Sequence, residues 1–558
     1  MMGTQQQELQ PLDPGTQESR FQESPQDAIV FKNVNYRYAG ATKRALEEVS
    51  LRIPQGQCVV VTGPSGCGKT TLTRLINGLV PHVYEGELEG QVLVEGRDVS
   101  SWTTADLGTS VGSVFQNPRS QFVNIDTTSE ISFGCENLGL PREEIARRVQ
   151  EAVNAIGAQS LLDRSVEELS GGQKQAVIIA SALAMQPAIV VMDEPTASLD
   201  ADAMRRLANA ICLLKQHGKT VVISEHRLWW LRGVVDRVIR MREGRICGDW
   251  SADEYERIPF AERERSGERA WLLREMEGGA RSGVSAEGSP TDGAPNMMLE
   301  THGLKAGYRR NRAVLDGVDL RLPEGMVTGV LGENGAGKTT LLRCLSGLSR
   351  EKSGSILLAG EPLRFRKRPG TVHLVMQEPG YQLFADSVQG ELERAAAQAQ
   401  KQKRPQVAER VAPDQPVSQQ ASEMLQRFGL ASLAERHPLS LSGGERQRLA
   451  IAAGVLQGAR VVVLDEPTSG LDRRNMERVA KALRALASEG HAICIVTHDY
   501  EFLCLACDEV VELEAGKIAR RYALDAEGIA RARAFFGFQE TQPSLADEIA
   551  PQKERKNQ

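Results

Sequence analysis

The chain has 558 residues, of which 41% are hydrophobic and 25% are charged, so it is long enough for two or more domains that each bury a core. Its 67 basic and 73 acidic residues give a net charge of −6, which argues against a nucleic-acid partner because such proteins carry a basic excess. No apolar run approaches the roughly 18–20 residues that span a bilayer, and the first residues lack a signal-peptide pattern, so we expect no segment to enter the membrane.

Changes of composition along the chain indicate where domains begin and end. We predict a disordered tail (1–27), a first domain (28–250), a linker (251–297), a second domain (298–520) and a C-terminal extension with a tail (521–558). The linker prediction depends on a stretch that is rich in glycine and serine and contains proline. Residues 395–420 are polar and rich in alanine and glutamine, and we predict that they form a loop insertion in the second domain.

A glycine-rich loop follows a short apolar run in each domain, as GPSGCGKT in the first and GENGAGKT in the second. Both match the phosphate-binding pattern G-x4-G-K-[ST] between a strand and a helix, where backbone N–H groups turn toward phosphate oxygens. We expect Lys69 and Lys338 to neutralise the β- and γ-phosphates of ATP, and Thr70 and Thr339 to place a hydroxyl on Mg²⁺. The predicted phosphate-binding residues are Gly63, Pro64, Ser65, Gly66, Cys67, Gly68, Lys69, Thr70, Gly332, Glu333, Asn334, Gly335, Ala336, Gly337, Lys338 and Thr339.

The run LSGGQ in the first domain recurs as LSGGE in the second, and we call each run the signature of its domain. Each places a serine and two glycines where a helix begins, and a helix N-terminus attracts anions. Because each domain already has its own phosphate loop, we predict that each signature completes the ATP site of the other domain. The two domains would then close face to face as a pseudo-dimer within one chain. The signature residues are Ser170, Gly171, Gly172, Ser442, Gly443 and Gly444.

Two carboxylates follow an apolar run in each domain, as Asp193-Glu194 in the first and Asp465-Glu466 in the second. We expect the two aspartates to hold Mg²⁺ through water. We expect the two glutamates to act as general bases that polarise the attacking water.

A histidine follows another apolar run in each domain, in the sequences SEH and THD. A lone histidine is more often structural, but His226 and His498 occupy matching places in the two domains. We therefore predict that both imidazoles reach the γ-phosphate and sense it.

These motifs recur in the same order in both halves of the chain, which a domain duplication explains. The runs that carry them are short, β-branched and apolar throughout, which is typical of parallel strands that helices bury on both faces. Each half is therefore predicted to be an α/β domain with its ligand chemistry at the carboxyl ends of the strands.

Phosphate loop, signature, Asp-Glu pair and following histidine together resemble the ATP-binding-cassette (ABC) superfamily, over both halves of the chain. The resemblance implies two tandem P-loop NTPase domains, each a parallel-sheet core with a helical subdomain, that bind ATP and Mg²⁺ and hydrolyse ATP at two competent sites. It assigns catalytic and metal-binding roles to Gln116 and Gln377, which lie between the ATP site and the helical subdomain. It also identifies Tyr38 and Tyr308 as aromatic platforms for adenine.

The segments that follow Gln116 and Gln377 resemble those of energy-coupling-factor (ECF) transporter ATPases. In that family the ATPases lie under a transmembrane scaffold protein with coupling helices, and a small membrane protein captures a vitamin or metal ion. The resemblance implies a peripheral protein at the cytoplasmic face of the cell membrane. It implies that Gln121, Phe122, Gln382, Leu383 and Phe384 line grooves for the coupling helices, and that Glu130 and Glu391 pair with arginines of those helices.

Other classes of ABC protein fit the sequence less well. A chromosome ATPase needs a long coiled coil between phosphate loop and signature, and too few residues separate Lys69 from Ser170 for one. A soluble ribosome-associated protein needs a cationic arm, whereas this chain is acidic and its connection is glycine- and serine-rich. A fused ATPase of another importer class is the first alternative and the ribosome-associated class the second. Nine cysteines without a disulfide-rich spacing fit the cytosol.

Overall fold

The computed structural model describes residues 27–197, 199–276, 296–307, 313–401 and 416–537. The strands are β1 (Asp27–Tyr38), β2 (Leu46–Pro54), β3 (Cys58–Thr62), β4 (Gly86–Val94), β5 (Arg97–Asp98), β6 (Val111–Val114), β7 (Ile189–Asp193), β8 (Thr220–Ser224), β9 (Arg237–Arg242), β10 (Arg245–Ser251), β11 (Met297–Ala306), β12 (Leu315–Val318), β13 (Arg321–Pro323), β14 (Val327–Leu331), β15 (Ser353–Leu358), β16 (Glu361–Pro362), β17 (Val372–Val375), β18 (Val461–Asp465), β19 (Ala492–Val496), β20 (Glu509–Glu514) and β21 (Lys517–Ala523).

The α-helices are α1 (Lys69–Ile76), α2 (Leu79–His82), α3 (Thr104–Ser110), α4 (Thr127–Asn137), α5 (Arg142–Ile156), α6 (Gly171–Ala184), α7 (Ala201–Gln216), α8 (Ala252–Arg257), α9 (Phe260–Arg265), α10 (Lys338–Ser346), α11 (Val388–Lys401), α12 (Val417–Arg427), α13 (Gly443–Leu456), α14 (Arg473–Ser488), α15 (Tyr500–Ala506) and α16 (Ala526–Phe535). In the part of the chain that is described, no helix combines the length and apolar character needed to cross a membrane.

The two domains share one architecture. A six-stranded sheet has the order β10-β9-β3-β8-β7-β6 in the first domain and β21-β20-β14-β19-β18-β17 in the second. In both, five strands pair in parallel, and only the edge strand β10 or β21 runs antiparallel. A smaller antiparallel sheet is built around β1 in one domain and β11 in the other. The α/β class predicted from the apolar runs is confirmed.

The central strands explain where the site forms. Every residue of β3, β7 and β8 is buried, because helices cover both faces of the sheet. These three strands are neighbours and run in the same direction. Their carboxyl ends therefore bring the first phosphate loop, the Asp193-Glu194 pair and His226 to one edge of the sheet.

Residues 252–276, within the predicted linker, are folded: they form α8, α9 and a short 3-10 turn at Leu273–Met276. Trp271 and Met276 belong to a continuous buried apolar cluster that also contains Tyr500 and Phe502 of the second domain. The composition of residues 277–295, which lie outside the described residues, dominated the linker prediction.

Helices also occur in the predicted loop insertion and in the C-terminal extension. The region 395–420, predicted to be a loop insertion, contains the end of α11 and the start of α12, and residues 402–415 lie outside the described part. In the C-terminal extension, α16 is followed by Phe536, whose ring packs edge-on against Tyr500 with centroids 5.7 Å apart. The extension thereby packs on the second domain.

Candidate active site

Residues of both domains line one cavity of 940 Å³, which we call site 1. The first phosphate loop contributes Lys69 and Thr70, and the signature of the second domain contributes Ser442 and Gly443. Predicted site residues on its walls are Tyr38, Ser65, Gly66, Gly68, Lys69, Thr70, Gln116, Glu194, His226, Gln377, Ser442 and Gly443. Gln377, which the resemblance placed between the ATP site and the helical subdomain, lies on the wall of site 1, beside the signature of its own domain.

We call the equivalent pairing of the second phosphate loop with the first-domain signature site 2, and a cavity of 280 Å³ lies where the two segments meet. Glu333 and Asn334 of the second domain face Gly172 and Gln173 of the first domain across it. The structure thus brings each phosphate loop next to the signature of the opposite domain, as the duplicated motifs predicted.

Each phosphate loop leads directly into a helix. Gly68 and Gly337 precede α1 and α10 with φ of 107°, a backbone conformation that favours glycine. Lys69 Nζ donates hydrogen bonds to the carbonyls of Gly63 and Pro64, at 2.9 and 3.2 Å. The corresponding carbonyls accept Lys338 Nζ at 2.7 and 3.0 Å, so both ammonium groups are held over their loops.

Each glutamate of the Asp-Glu pairs has a left-handed backbone, with φ of 46° at Glu194 and 48° at Glu466. This conformation costs energy for a residue other than glycine and is concentrated at functional sites. Burial raises the pKa of Glu194 to about 8 and that of Glu466 to about 7, although Lys69 and Lys338 act in the opposite direction. Both carboxyl groups are therefore stronger bases than an exposed glutamate.

The two aspartates lie beside the hydroxyl groups that were predicted to share a metal with them. Burial raises the pKa of Asp193, while the neighbouring hydroxyl groups of Ser224 and Thr70 lower it, and burial and Thr339 act on the pKa of Asp465 in the same way. Among the described residues, Asp193 Oδ1 is buried without a hydrogen-bond partner. A buried carboxylate oxygen next to a threonine hydroxyl is a donor set that suits Mg²⁺, which prefers oxygen ligands.

His226 lies between the lysine and the glutamate of site 1. Its Nε2 is 3.3 Å from Lys69 Nζ and 3.4 Å from Glu194 Oε1. Burial, with the charge of Lys69, lowers its pKa, so the imidazole is neutral near pH 7. On the other side of the carboxylate, Gln116 Nε2 donates to Glu194 Oε2 at 2.8 Å.

His498 occupies the matching place in site 2, with looser geometry. Its Nε2 is 3.7 Å from Glu466 Oε1, and its backbone N–H donates to Glu466 Oε2 at 3.0 Å. Burial, with the charge of Lys338, lowers the pKa of His498 as well.

The signature serines also stabilise their own helices. Ser170 Oγ accepts the backbone N–H of Gln173 at 3.3 Å, and the Gln173 side chain accepts the Ser170 N–H at 3.0 Å. In the second domain, Glu445 accepts the Ser442 N–H at 2.8 Å. Such capping boxes fix the start of the helix at each signature.

Tyr38 lies on the wall of site 1, as expected for an adenine platform. Its hydroxyl is 3.1 Å from Thr71 Oγ1 and accepts a hydrogen bond of 3.1 Å from Arg74. Arg74 also stacks 4.1 Å over the ring of Tyr84, and neither residue was predicted from the sequence. Tyr308, the counterpart proposed for the second domain, lies outside the described residues.

The turn after each Asp-Glu pair makes contacts across the domain interface that sequence reasoning missed. Asp472 Oδ2 accepts the backbone N–H of Ser65 at 2.7 Å, and Asp200 Oδ2 accepts that of Asn334 at 3.4 Å. At site 1, Ser469 Oγ donates to the carbonyl of Ala197 at 2.8 Å. The repeated SLD and GLD sequences were the available signal, since both aspartates occur at equivalent places in the two halves.

The fold and these contacts define a two-domain phosphate-loop ATPase whose sites are each built from both domains. A family model described as "ABC transporter" matches residues 46–197 and 315–469, one match in each domain and together more than half of the chain. The chain therefore belongs to the ABC transporter family. It binds and hydrolyses ATP, as the ATP-binding subunits of ABC transporters do.

Relatives extend the similarity over most of the chain. A "Putative ABC transporter ATP-binding protein" of Treponema denticola is 40% identical over 88% of this chain and 96% of its own length. The "Putative HMP/thiamine import ATP-binding protein YkoD" of Bacillus subtilis is 30% identical over 87% of this chain and 90% of its own. A solved structure described as "Model of ribosome-bound archaeal Pelota and ABCE1" covers 91% of this chain and 81% of its own with a TM-score of 0.62, and at 21% identity it shows the fold alone.

Proposed function

We propose that this chain is the motor subunit of an ECF-type importer, which closes on two ATP molecules and drives a separate transmembrane scaffold protein. The printed name of the 30% identical Bacillus subtilis relative, an HMP/thiamine import protein, supports an importer of a vitamin or its precursor. The observation that carries the proposal is a pair of exposed apolar patches, one in each domain, immediately after Gln116 and Gln377.

The patch of the first domain contains Val123 and Ile125, whose side chains are 65% and 84% exposed. In the second domain, Tyr381 and Phe384 are 61% and 72% exposed. Large apolar side chains rarely stay this exposed beside one another unless a partner covers them. An apolar coupling helix of a membrane scaffold is such a partner.

A buried glutamate in each domain hydrogen-bonds to the backbone of the patch. Glu130 accepts the backbone N–H groups of Val123 and Asn124 at 3.0 and 2.8 Å, and Glu391 accepts those of Phe384 and Ala385 at 2.8 Å each. Both carboxylates are almost fully buried. This burial argues against a pairing with arginines of a coupling helix, since Oε2 of each glutamate binds the backbone that displays the apolar side chains and Glu391 Oε1 pairs with Arg394.

The glutamines and apolar residues predicted to line the grooves are also placed differently from the expectation. Gln121 binds the backbone of Ser113 and Phe115, and Gln382 binds that of Leu374 and Met376, so each ties its segment to an adjacent strand. Phe122 is half-buried and Leu383 is buried. Of the five predicted residues, Phe384 alone is a large apolar side chain that stays exposed.

The same helices connect each patch to an ATP site. In the first domain α4 follows the patch and packs on α6, the helix that begins at the signature, and Ser181 Oγ donates to the carbonyl of Glu130 at 3.0 Å. Closure of the signature on ATP therefore moves the patch with it. In the proposed cycle, this movement tilts the scaffold protein.

In the proposed hydrolysis at site 1, Lys69 and the loop N–H groups hold the triphosphate, and Ser442 with Gly443 approach it from the other domain. Glu194 accepts a proton from the attacking water, which its raised pKa favours. Thr70 and Asp193 would hold Mg²⁺, which would supply positive charge to the triphosphate. Lys338, Glu466, Thr339, Asp465 and the first-domain signature serve the same roles at site 2.

Substitution of exposed patch residues tests the importer assignment. Ile125→Asp and Phe384→Asp place a charge on each patch, and we expect the double variant to lose co-purification with a multi-span scaffold protein while its ATPase activity in isolation persists. Leu213→Asp is the matched control, because Leu213 is an exposed apolar residue on α7, away from both patches. An intact complex in the double variant contradicts the docking role. Capture of a scaffold from another importer class favours the alternative class, and co-sedimentation with ribosomes favours the ribosome-associated class.

A further inference from the structure

Residues 252–276, which we call the clasp, join the two domains through buried contacts on both sides. On the first domain, Glu268 pairs with Arg240 of β9, and the ring of Tyr255 lies 5.9 Å from that of Trp250 in β10. On the second domain, the clasp delivers Arg269, whose side chain is only 1% exposed. A buried arginine is stable only when buried carboxylates or other acceptors compensate its positive charge.

Arg269 binds the start of α15, the helix that follows His498. Its Nη2 donates to Asp499 and its Nε donates to Glu501 Oε1 at 2.9 Å. The next residue of the clasp adds a backbone contact, because the Ala270 N–H donates to Glu501 Oε2 at 3.0 Å. Both carboxylates are fully buried, so Arg269 fixes the residue adjacent to the histidine of site 2.

The carboxylate of Asp499 also binds a turn that lies against site 1. Thr468 Oγ1 donates to Asp499 Oδ2 at 2.7 Å, and Thr468 opens the turn 469–472 that crosses the domain interface. A Cβ atom added to Gly470 in that turn would lie 2.9 Å from Glu194 Oε2. At the end of the turn, Asp472 binds the N–H of Ser65 in the first phosphate loop at 2.7 Å. Asp499 thus lies between the histidine of one site and the turn that covers the other.

The first domain lacks this arrangement at the equivalent position. There Thr196 Oγ1 donates to Glu225 at 2.6 Å, and Glu225 also accepts the backbone N–H groups of His226 and Arg227. Arg227 takes the position that Asp499 holds in the second domain, directly after the histidine. Its Nε lies 4.0 Å from Asp499 Oδ2, so it adds positive charge to the same carboxylate.

We infer that Arg269 is a positioning residue for both ATP sites: through Asp499 it holds the His498 loop of site 2 and the Thr468 turn over site 1 in one arrangement. The connecting segment would then couple hydrolysis at the two sites, in addition to joining the domains. This inference rests on the proposed roles of His498 and Glu194, and it does not depend on which membrane partner the chain serves.

The test compares arginines of the clasp in the isolated full-length chain. We expect Arg269→Gln to lower kcat about 10-fold with a much smaller change in KM, because the loss misplaces catalytic groups without removing phosphate ligands. The Hill coefficient for ATP should fall toward one. Arg263→Gln is the matched control, since Arg263 is equally buried in the clasp but binds Glu275 and the carbonyl of Ile258 within it. Its kcat should stay within about twofold of wild type.

A conservative variant separates positioning from folding. Lys can pair with only one of the two acids, so Arg269→Lys should fold and give a kcat between those of wild type and Arg269→Gln. Equal loss of kcat in Arg263→Gln and Arg269→Gln, or an unchanged kcat and Hill coefficient in both Arg269 variants, would overturn the inference. His498→Ala in the same assay is diagnostic of the proposed function itself: wild-type activity there removes the role of His498, whatever Arg269 does.

Discussion

Site 1 and site 2 contain equivalent residues, but their geometry differs. In site 1, the imidazole of His226 lies 3.4 Å from Glu194, and Asp472 binds the opposite phosphate loop at 2.7 Å. In site 2, the imidazole–glutamate distance is 3.7 Å, and the matching contact of Asp200 is 3.4 Å. Duplicated motifs therefore do not produce identical sites.

Charges near the pseudo-two-fold interface explain part of the difference. The residue after the histidine is Arg227 in the first domain and Asp499 in the second, so the two loops attract each other. Arg269 of the clasp adds a second cation on the Asp499 side. Because the clasp contributes one arginine to one loop, it makes the two halves of the interface unequal.

The largest expected effect comes from neutralising the proposed bases one at a time. Glu194→Gln and Glu466→Gln keep the shape of the side chain and remove the proton acceptor, so we expect each to lower kcat about 100-fold. Because two independent sites would retain about half of the rate when one is blocked, a loss of about 100-fold requires that blocking one site also stops hydrolysis at the other. The measurement is steady-state phosphate release, with ATP affinity and unfolding temperature as controls.

Two other outcomes would be informative. Half of the wild-type rate in each variant means that the sites fire independently, which contradicts coupling through Asp499. Wild-type hydrolysis in either variant means that the corresponding carboxylate is not a base.

The sequence was sufficient for the features that depend on local pattern. β-branched runs predicted the buried strands, and the glycine loops and signatures predicted which segments meet across the interface. The exposure of individual residues was not predictable in this way: Phe122 and Ile125 are both apolar, but only Ile125 is fully open to solvent. Exposure depends on backbone turns that buried glutamates such as Glu130 hold in place.

The clasp was assigned to the linker for a different reason. Its composition is charged and its helices are short, which locally resembles a linker. Its folding depends on ion pairs with residues far along the chain, such as Arg269 with Asp499 and Glu264 with Arg473. Such partners cannot be recognised until the two domains have been placed together.

The next largest effect is expected on the alkylation of Cys67. This cysteine belongs to the phosphate loop of site 1, and Ala336 takes its place in the loop of site 2. Burial raises the pKa of the Cys67 thiol, although Lys69 acts against it, so the reactive thiolate is scarce at neutral pH. Below its pKa, the alkylation rate should rise about tenfold for each pH unit, and bound ATP should slow it about tenfold. Mass spectrometry of the labelled peptide measures both effects.

Cys247 provides an internal control for this experiment, because it is the exposed cysteine among those described. Its labelling should proceed with and without ATP. Undiminished labelling of Cys67 at saturating ATP would place the thiol away from the phosphates and contradict the proposed loop geometry.

The smallest effect is expected at Asp472 and Asp200, the two aspartates that accept hydrogen bonds from the opposite domain. Each also caps its own helix, Asp472 at 2.8 Å and Asp200 at 2.9 Å, so alanine at either position removes a similar cap. What differs is the bond to the opposite phosphate loop, 2.7 Å for Asp472 and 3.4 Å for Asp200. We expect Asp472→Ala to weaken ATP binding at site 1 about fivefold and Asp200→Ala to weaken it at site 2 about twofold, since a well-formed hydrogen bond contributes about 1 kcal/mol.

Fluorescent ATP titration measures each site separately when the lysine of the other loop is replaced, Lys338→Ala to isolate site 1 and Lys69→Ala to isolate site 2. The unfolding temperature should fall by the same amount in both aspartate variants, because the lost caps are equivalent. Equal losses of affinity would show that the two interface contacts have the same strength in solution. The inequality between the sites would then arise from the clasp and the loops after the histidines.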